Sequence, residues 1–131
     1  MPPINPQPKK ILIVEDEPDA RQIFIDILGG AGFEIDGATE GDDALLHMSQ
    51  KKYDLILLDI VMPQKDGIQT LTEVKKFPGK YGDMKIVMLT NIGGDLAIDK
   101  ALKLGADGYM LKSETEPDDL VAIVNKYLEL S

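Results

Sequence analysis

The sequence predicts an α/β protein: a doubly wound, five-stranded parallel sheet in the order 2-1-3-4-5, with helices on both faces. Three observations carry this. Uninterrupted apolar runs begin at Ile11, Leu55 and Ile86, and such short runs read as strands buried on both faces, as in a parallel sheet. Stretches with apolar residues at helical spacing separate them, which implies right-handed crossovers between parallel strands. Two weaker strand signals, the alternating Phe33–Ala38 segment and the short Gly108–Leu111 segment, suit the two edges of such a sheet.

Each element has its own local reason. Residues 1–8 include Pro2, Pro3, Pro6 and Pro8 and little apolar content, so they are expected to be a disordered or polyproline-like lead before a single domain over 9–131. The first strand, Ile11–Val14, runs into Glu15-Asp16-Glu17-Pro18. Proline suits the first turn of a helix, and acidic residues favour its N-terminus. Ala20, Ile23, Phe24, Ile27, Leu28 and Ala31 then recur as one expected buried stripe, ended by Gly29, Gly30 and Gly32. In Phe33–Ala38, apolar Phe33 and Ile35 alternate with Glu34 and Asp36, the mark of a half-exposed strand. Glu40–Gln50 reads as a helix with Ala44, Leu45 and Met48 on one face and His47 toward solvent.

The third strand leads into Asp59, and a helix through Ile68, Leu71 and Val74 follows, ending near Phe77-Pro78-Gly79. The segment Lys80–Asp83 reads as a long polar loop, and Lys85–Thr90 as the fourth strand. A loop over residues 91–94 precedes a helix from about Asp95 to Leu104, which Gly105 closes. The last strand is followed by Lys112 and by a helix from about Pro117, whose stripe is Leu120, Ile123, Val124, Tyr127 and Leu128.

Bulk properties narrow the function. The 131 residues suffice for one core and are too few for two ordinary domains. A formal net charge of −9 argues against nonspecific nucleic-acid binding and against anionic membranes as partners. The absence of cysteine excludes disulfides, thiolate metal sites and cysteine nucleophiles, and one histidine cannot build a histidine metal cluster. No apolar run approaches a membrane span and no signal-peptide core is visible, so the cytoplasm is the expected location.

In an open parallel sheet, ligands bind beyond the C-terminal ends of the strands, near the point where strand order reverses. Here that edge collects Glu15 and Asp16 after strand 1, Asp59 after strand 3, Thr90 after strand 4 and Lys112 after strand 5. Each has a dull explanation alone: a helix cap or turn residue for the acids, a β-branched strand residue for Thr90, a solvated ammonium for Lys112. Their convergence is harder to dismiss. Crowded carboxylates need a cation, and hard oxygen ligands without sulfur or imidazole favour Mg²⁺. Asp59 could attack phosphorus to give an aspartyl phosphate. Mg²⁺ and Lys112 would then offset charge on the transferring group, and the Thr90 hydroxyl could donate to a phosphoryl oxygen.

Four segments, ILIVEDEP (Ile11–Pro18), LLDIVMPQKDG (Leu57–Gly67), MLT (Met88–Thr90) and GADGYMLK (Gly105–Lys112), closely resemble the receiver domains of two-component response regulators. The resemblance covers Lys9–Leu128 and implies a flavodoxin-like, chemotaxis-regulator-like fold. It implies that Asp59 is the phosphoacceptor and that Asp16 is a direct Mg²⁺ ligand, with Glu15 acting indirectly through water. The Val61 backbone carbonyl is the third implied ligand, and Lys112 pairs with acceptor and phosphate. Thr90 and Tyr109 match a switch pair that alters the surface of the fourth helix, fifth strand and fifth helix for a downstream partner. A sensor histidine kinase or phosphotransfer protein is the implied phosphodonor, with no direct nucleic-acid contact and no membrane insertion.

Three positions depart from the family pattern. Ser113 stands where a cis proline is usual, Asn91 where a small residue usually follows the switch threonine, and Glu15 where Asp is commoner. Val61 and Ile92 flank the site with apolar rather than water-guiding side chains, which predicts slow self-dephosphorylation. An aspartate-nucleophile phosphatase would need a second Asp where Val61 stands, and a flavin carrier a phosphate loop where acidic EDEP stands. A receiver-like module that binds partners without phosphorylation ranks below the reading adopted, because every required side chain is present.

Overall fold

The computed structural model describes residues 7–91, 96–114 and 116–129. Its five parallel strands are β1 (Lys10–Val14), β2 (Glu34–Ala38), β3 (Leu55–Asp59), β4 (Lys85–Thr90) and β5 (Gly108–Leu111), in the order β2-β1-β3-β4-β5. The helices are α1 (Pro18–Gly30), α2 (Gly41–Gln50), α3 (Gly67–Lys76), the single-turn α4 (Pro78–Tyr81), α5 (Leu96–Lys103) and α6 (Pro117–Tyr127). A short 3₁₀ turn, Lys112–Glu114, links β5 toward α6. The fold is the flavodoxin-like doubly wound sheet expected, with one helical turn more than expected.

Strand alternation divides the core into two layers. Leu12, Val14, Ile56, Leu58, Ile86 and Met88 face one cluster, filled by Ala44, Leu45 and Met48 of α2, Leu71 and Val74 of α3, and Ile98 and Ala101 of α5. Ile11, Ile13, Leu55, Leu57, Val87 and Leu89 face the other, filled by Phe24 and Leu28 of α1 and Leu120 and Val124 of α6. All five residues of β3 are buried, whereas the outer strand β2 is largely half-exposed, as its alternation predicts.

Four expectations need correction or fall elsewhere. Lys80–Asp83 is not simply a polar loop: α4 forms across Pro78–Tyr81 and buries Tyr81 beside Met84 in the first cluster. The reason is Pro78 at a helix start and an aromatic ring that finds apolar cover once the sheet exists. In α1, Ile23 is 53% exposed and Ala31 is exposed, while Ile25 packs against the second cluster. The buried face runs through Phe24, Ile25, Ile27 and Leu28, so it is rotated away from Ile23 relative to the stripe drawn from spacing, and Ala31 lies past the helix end as its C-cap. His47 is half-buried rather than solvent-facing, with its Nε2 3.9 Å from Asp43 Oδ1. The lead over 1–8 falls mostly on residues 1–6, and the loop over 91–94, Ile92 and the start of the fifth helix at Asp95 fall largely on 92–95, all outside the described residues.

Boundary chemistry places the ends of the helices. Asp66 and Gln69 form a capping box on α3, and the Glu40 carboxylate accepts from the backbone N–H groups of Asp42 and Asp43 at the start of α2. Gly105, with φ +107°, turns the chain after α5 in a region that favours glycine.

Candidate functional site

β3 sets the geometry. Its last residue, Asp59, has a side chain 5% exposed, and Asp59 Oδ1 accepts from the Val61 backbone N–H at 3.2 Å. The chain then turns sharply: Ile60 N–H donates to the Leu89 carbonyl at 3.0 Å, and Gly67 N–H donates to the Ile60 carbonyl at 2.9 Å. Gly67 lies so close to β3 that an added Cβ would overlap the Asp59 carbonyl oxygen and approach Ile60 Cα to 2.8 Å. Both neighbours are backbone, so only glycine fits there.

β1 delivers the acids. Glu15 is fully buried and its N–H donates to the Ala38 carbonyl at 3.1 Å. Its carbonyl accepts from Arg21 Nη1 at 2.7 Å, and its Oε1 accepts from Glu17 N–H at 3.2 Å. Asp16 is exposed at the mouth. Carboxylate oxygens of Glu15, Asp16 and Asp59 all lie within 4.8 Å of one another. β5 delivers the counter-charge: Lys112 Nζ stands 2.7 Å from Glu15 Oε2 and 3.0 Å from Asp59 Oδ2, with its side chain 16% exposed.

The electrostatics follow from this packing. Burial, reinforced by the hydrogen bond and charge of Asp59, pushes the Glu15 carboxyl up to about 6 against the opposing pull of Lys112. Burial would lower Lys112, but its bonds to Glu15 and Asp59 outweigh that and raise it, so the ammonium stays charged. The cluster therefore carries more carboxylate than one lysine can neutralise. Its donor atoms are hard oxygens with an exposed member facing solvent, which fits a Mg²⁺ ion that keeps part of its water shell. Glu15, Asp16 and Asp59 are the side chains that fit such an ion.

Thr90 is buried at the end of β4, opposite Leu111 in register. Tyr109 pairs with Met88 and is 44% exposed, on the face of the sheet that also carries Thr90. Val61 projects a side chain that is 76% exposed beside the site. No cis peptide bond occurs among the described residues, so the Lys112–Ser113 bond is trans. A cavity of about 230 Å³ lined by Ala20, Ile23, Phe24, Asn91, Lys112 and Ser113 opens next to Lys112, so both Asn91 and Ser113 share a cavity wall with that lysine.

The structure thus brings Glu15, Asp16, Asp59 and Lys112 together, keeps Thr90 at the same sheet edge and leaves Tyr109 pointing outward. Sequence reasoning missed Arg21 and the strict need for glycine at 67. For Gly67 the signal was available, because Asp66-Gly67 follows a buried strand closely; for Arg21 nothing in the local pattern marks a main-chain contact.

Comparison with known proteins agrees with this picture. The family model described as "Response regulator receiver domain" matches residues 11–125. The chemotaxis protein CheY of Halobacterium salinarum is 38% identical over 116 residues, 88% of this chain and 93% of that protein. The transcriptional regulatory protein BaeR of Escherichia coli is 36% identical over 126 residues, 96% of this chain. The chain spans about half of BaeR's length, 50%. Among solved structures, Vibrio cholerae chemotaxis protein CheY4 aligns with a TM-score of 0.85 at 26% identity, covering 92% of this chain and 99% of that one. The BeF₃-activated N-terminal receiver domain of Klebsiella pneumoniae RstA aligns at 0.79 and 32% identity, covering 92% and 98%.

Proposed function

The chain belongs to the response regulator receiver domain family of two-component systems, and we propose that it accepts a phosphoryl group on Asp59 from a sensor histidine kinase or phosphotransfer protein. The observation that supports this best is the buried pairing of Asp59 and Glu15 through Lys112, with Asp16 beside them at the solvent mouth. An Asp59 oxygen attacks phosphorus, the bond from phosphorus to the donor's imidazole nitrogen breaks, and the electron pair returns to that ring. Lys112 stays protonated and holds charge growing on the phosphoryl oxygens, while the Val61 N–H and the rigid strand end orient the nucleophile. Thr90 donates its hydroxyl to a phosphoryl oxygen.

In this reading Asp16, Asp59 and the Val61 carbonyl would hold Mg²⁺, with Glu15 acting indirectly, and the bound ion would supply positive charge against the phosphoryl oxygens. Residues 9–131 form the receiver unit, and the cytoplasm suits a partner of kinases; among the described residues no helix is long and apolar enough to cross a membrane.

Output passes through the face of α5, β5 and α6, the surface that the sequence counts as fourth helix, fifth strand and fifth helix. Its apolar exposure supports this: Leu96 is 84%, Tyr109 44% and Leu102 41% exposed. Thr90 and Tyr109 act as the switch pair, a local charge event biasing a bistable element. The exposed aliphatic Val61 offers no polar group to guide a hydrolytic water, so the phosphoryl group is lost slowly without a phosphatase.

Transfer from a phosphohistidine protein tests the reading. Label should move to the wild type in Mg²⁺, fail to move to Asp59→Asn or in chelator, and decay over minutes or longer. A half-life of seconds would refute slow self-dephosphorylation, and labelling of Asp59→Asn would refute the acceptor.

A further inference from the structure

The chain has one arginine, Arg21. It lies in the second turn of α1, and among the described residues its guanidinium forms no ion pair. In a chain of net charge −9, its Nη1 instead donates to a main-chain oxygen, the carbonyl of Glu15, at 2.7 Å. The preceding peptide unit is held as well, where the Glu15 N–H donates to the Ala38 carbonyl of β2 at 3.1 Å. α1 and β2 therefore clamp the one residue at which β1 becomes the acidic turn.

Space for the clamp is provided at Gly37. A Cβ there would come within 3.1 Å of Arg21 Cδ and 3.2 Å of Ile25 Cδ1. Gly37 has no positive φ, so backbone freedom does not call for glycine at this point; clearance for the arginine stem does.

Glu15, Asp16 and Glu17 are three consecutive acids whose mutual repulsion tends to open the turn. A charge-assisted hydrogen bond, roughly twice as strong as a neutral one, opposes that. We propose that Arg21 is a positioning residue for the divalent-cation site: by holding the Glu15 carbonyl it fixes the β1–α1 turn so that Glu15 and Asp16 present their carboxylates toward Asp59. The inference rests on reading that cluster as a Mg²⁺ site.

Sign separates this role from a merely electrostatic one. A cation near an anionic site repels Mg²⁺, so if Arg21 acted only as a charge, its removal would tighten Mg²⁺ binding. If it positions the turn, its removal weakens binding. The experiment is calorimetric titration of Mg²⁺ into the full chain for the wild type, Arg21→Met, Arg21→Lys and Gly37→Ala, with melting temperatures recorded for each. Arg21→Met keeps the apolar stem and loses the donor.

The expected result is a Mg²⁺ Kd raised about ten- to a hundredfold in Arg21→Met, the range of one lost hydrogen bond to a charged group. Arg21→Lys should recover part of that loss, and Gly37→Ala should shift Kd in the same direction by displacing the stem. Phosphorylation from acetyl phosphate should show a raised half-saturating Mg²⁺ concentration with the rate at saturating Mg²⁺ retained. A general loss of stability would not produce that split. An unchanged or tightened Kd in Arg21→Met overturns the proposal; if that variant does not fold, an unchanged Kd in both Arg21→Lys and Gly37→Ala overturns it. A wild type that takes up no Mg²⁺ is a different failure, since it removes the site reading itself and the proposal with it.

Discussion

Replacing Lys112 by Met should lower the stability of the metal-free domain and make that stability depend strongly on Mg²⁺. Lys112 Nζ bridges Glu15 at 2.7 Å and Asp59 at 3.0 Å, and those carboxylates are 1% and 5% exposed. Their oxygens and that of Asp16 lie within 4.8 Å of one another. Two unit charges at that spacing repel by roughly 3.5 kcal/mol at an effective dielectric of ~20, and removing one partner of a buried pair costs about 3–5 kcal/mol. Because Lys112 sits at the mouth, 16% exposed, we take the lower figure, about 3 kcal/mol. For a domain of this size that is a fall in Tm of roughly 10–15 °C in chelator at pH 7.5. Mg²⁺ at a hundred times its Kd returns about 2.7 kcal/mol by mass action, so most of the loss should be recovered. The pH dependence has a definite sign. The Glu15 carboxyl is raised to about 6 from an ordinary 4.5, so its penalty is full above pH 6 and fades as pH falls toward 4.5, on the order of 2 kcal/mol in the metal-free protein. Without Lys112 the rise is greater, so the deficit of the variant should shrink on acidification. Thermal melts of both proteins at pH 7.5 and 5, in chelator and in Mg²⁺, decide it. A variant within about 3 °C of wild type in chelator at pH 7.5, or one indifferent to Mg²⁺, would refute the reasoning.

Other perturbations have equally definite outcomes. Gly67→Ala puts a Cβ onto the Asp59 carbonyl and 2.8 Å from Ile60 Cα; with only backbone to yield, it should cost about 3 kcal/mol and slow phosphorylation from acetyl phosphate, whereas wild-type stability and rate would contradict the packing argument. Burial raises the Asp36 carboxyl, but bonds from Lys51 and Tyr53, at 2.8 and 2.7 Å, outweigh it and hold the group below its usual range. That stability is present above pH ~4 and lost as pH falls through the lowered value. Tyr53→Phe should therefore cost about 1 kcal/mol at pH 7 and progressively less on acidification, a trend that urea melts at pH 7 and pH 3 would reveal or deny. Gly108→Ala drives a Cβ into the Tyr127 hydroxyl, with ring Cζ at 2.7 Å. It should cost about 1–3 kcal/mol, partly relieved by Tyr127→Phe, and simple additivity of the two changes would count against this contact.

Much of the fold was legible because its strongest signals are local. Continuous apolar runs placed β1, β3 and β4 at the centre, and alternation placed β2 at an edge. Strand order in turn brought Asp59, Glu15, Asp16 and Lys112 to one edge, and the distances bear out that convergence. What escaped depends on three-dimensional packing. Tyr81 looks like a loop residue until the sheet supplies apolar cover, and Ile23 fits a helical stripe yet remains 53% exposed. The Arg21 contact lies on a backbone carbonyl, which no side-chain pattern encodes. The half-burial of His47 depends on how α2 packs in three dimensions, which periodicity does not fix.

The central claim is that Asp59 is a Mg²⁺-dependent phosphoacceptor. Intact mass after incubation with acetyl phosphate, with and without Mg²⁺, on wild type and Asp59→Asn, tests it most directly. One phosphoryl adduct on the wild type, present only with Mg²⁺ and absent from the variant, is the predicted result. An adduct that persists in Asp59→Asn, or forms equally well in chelator, would contradict it.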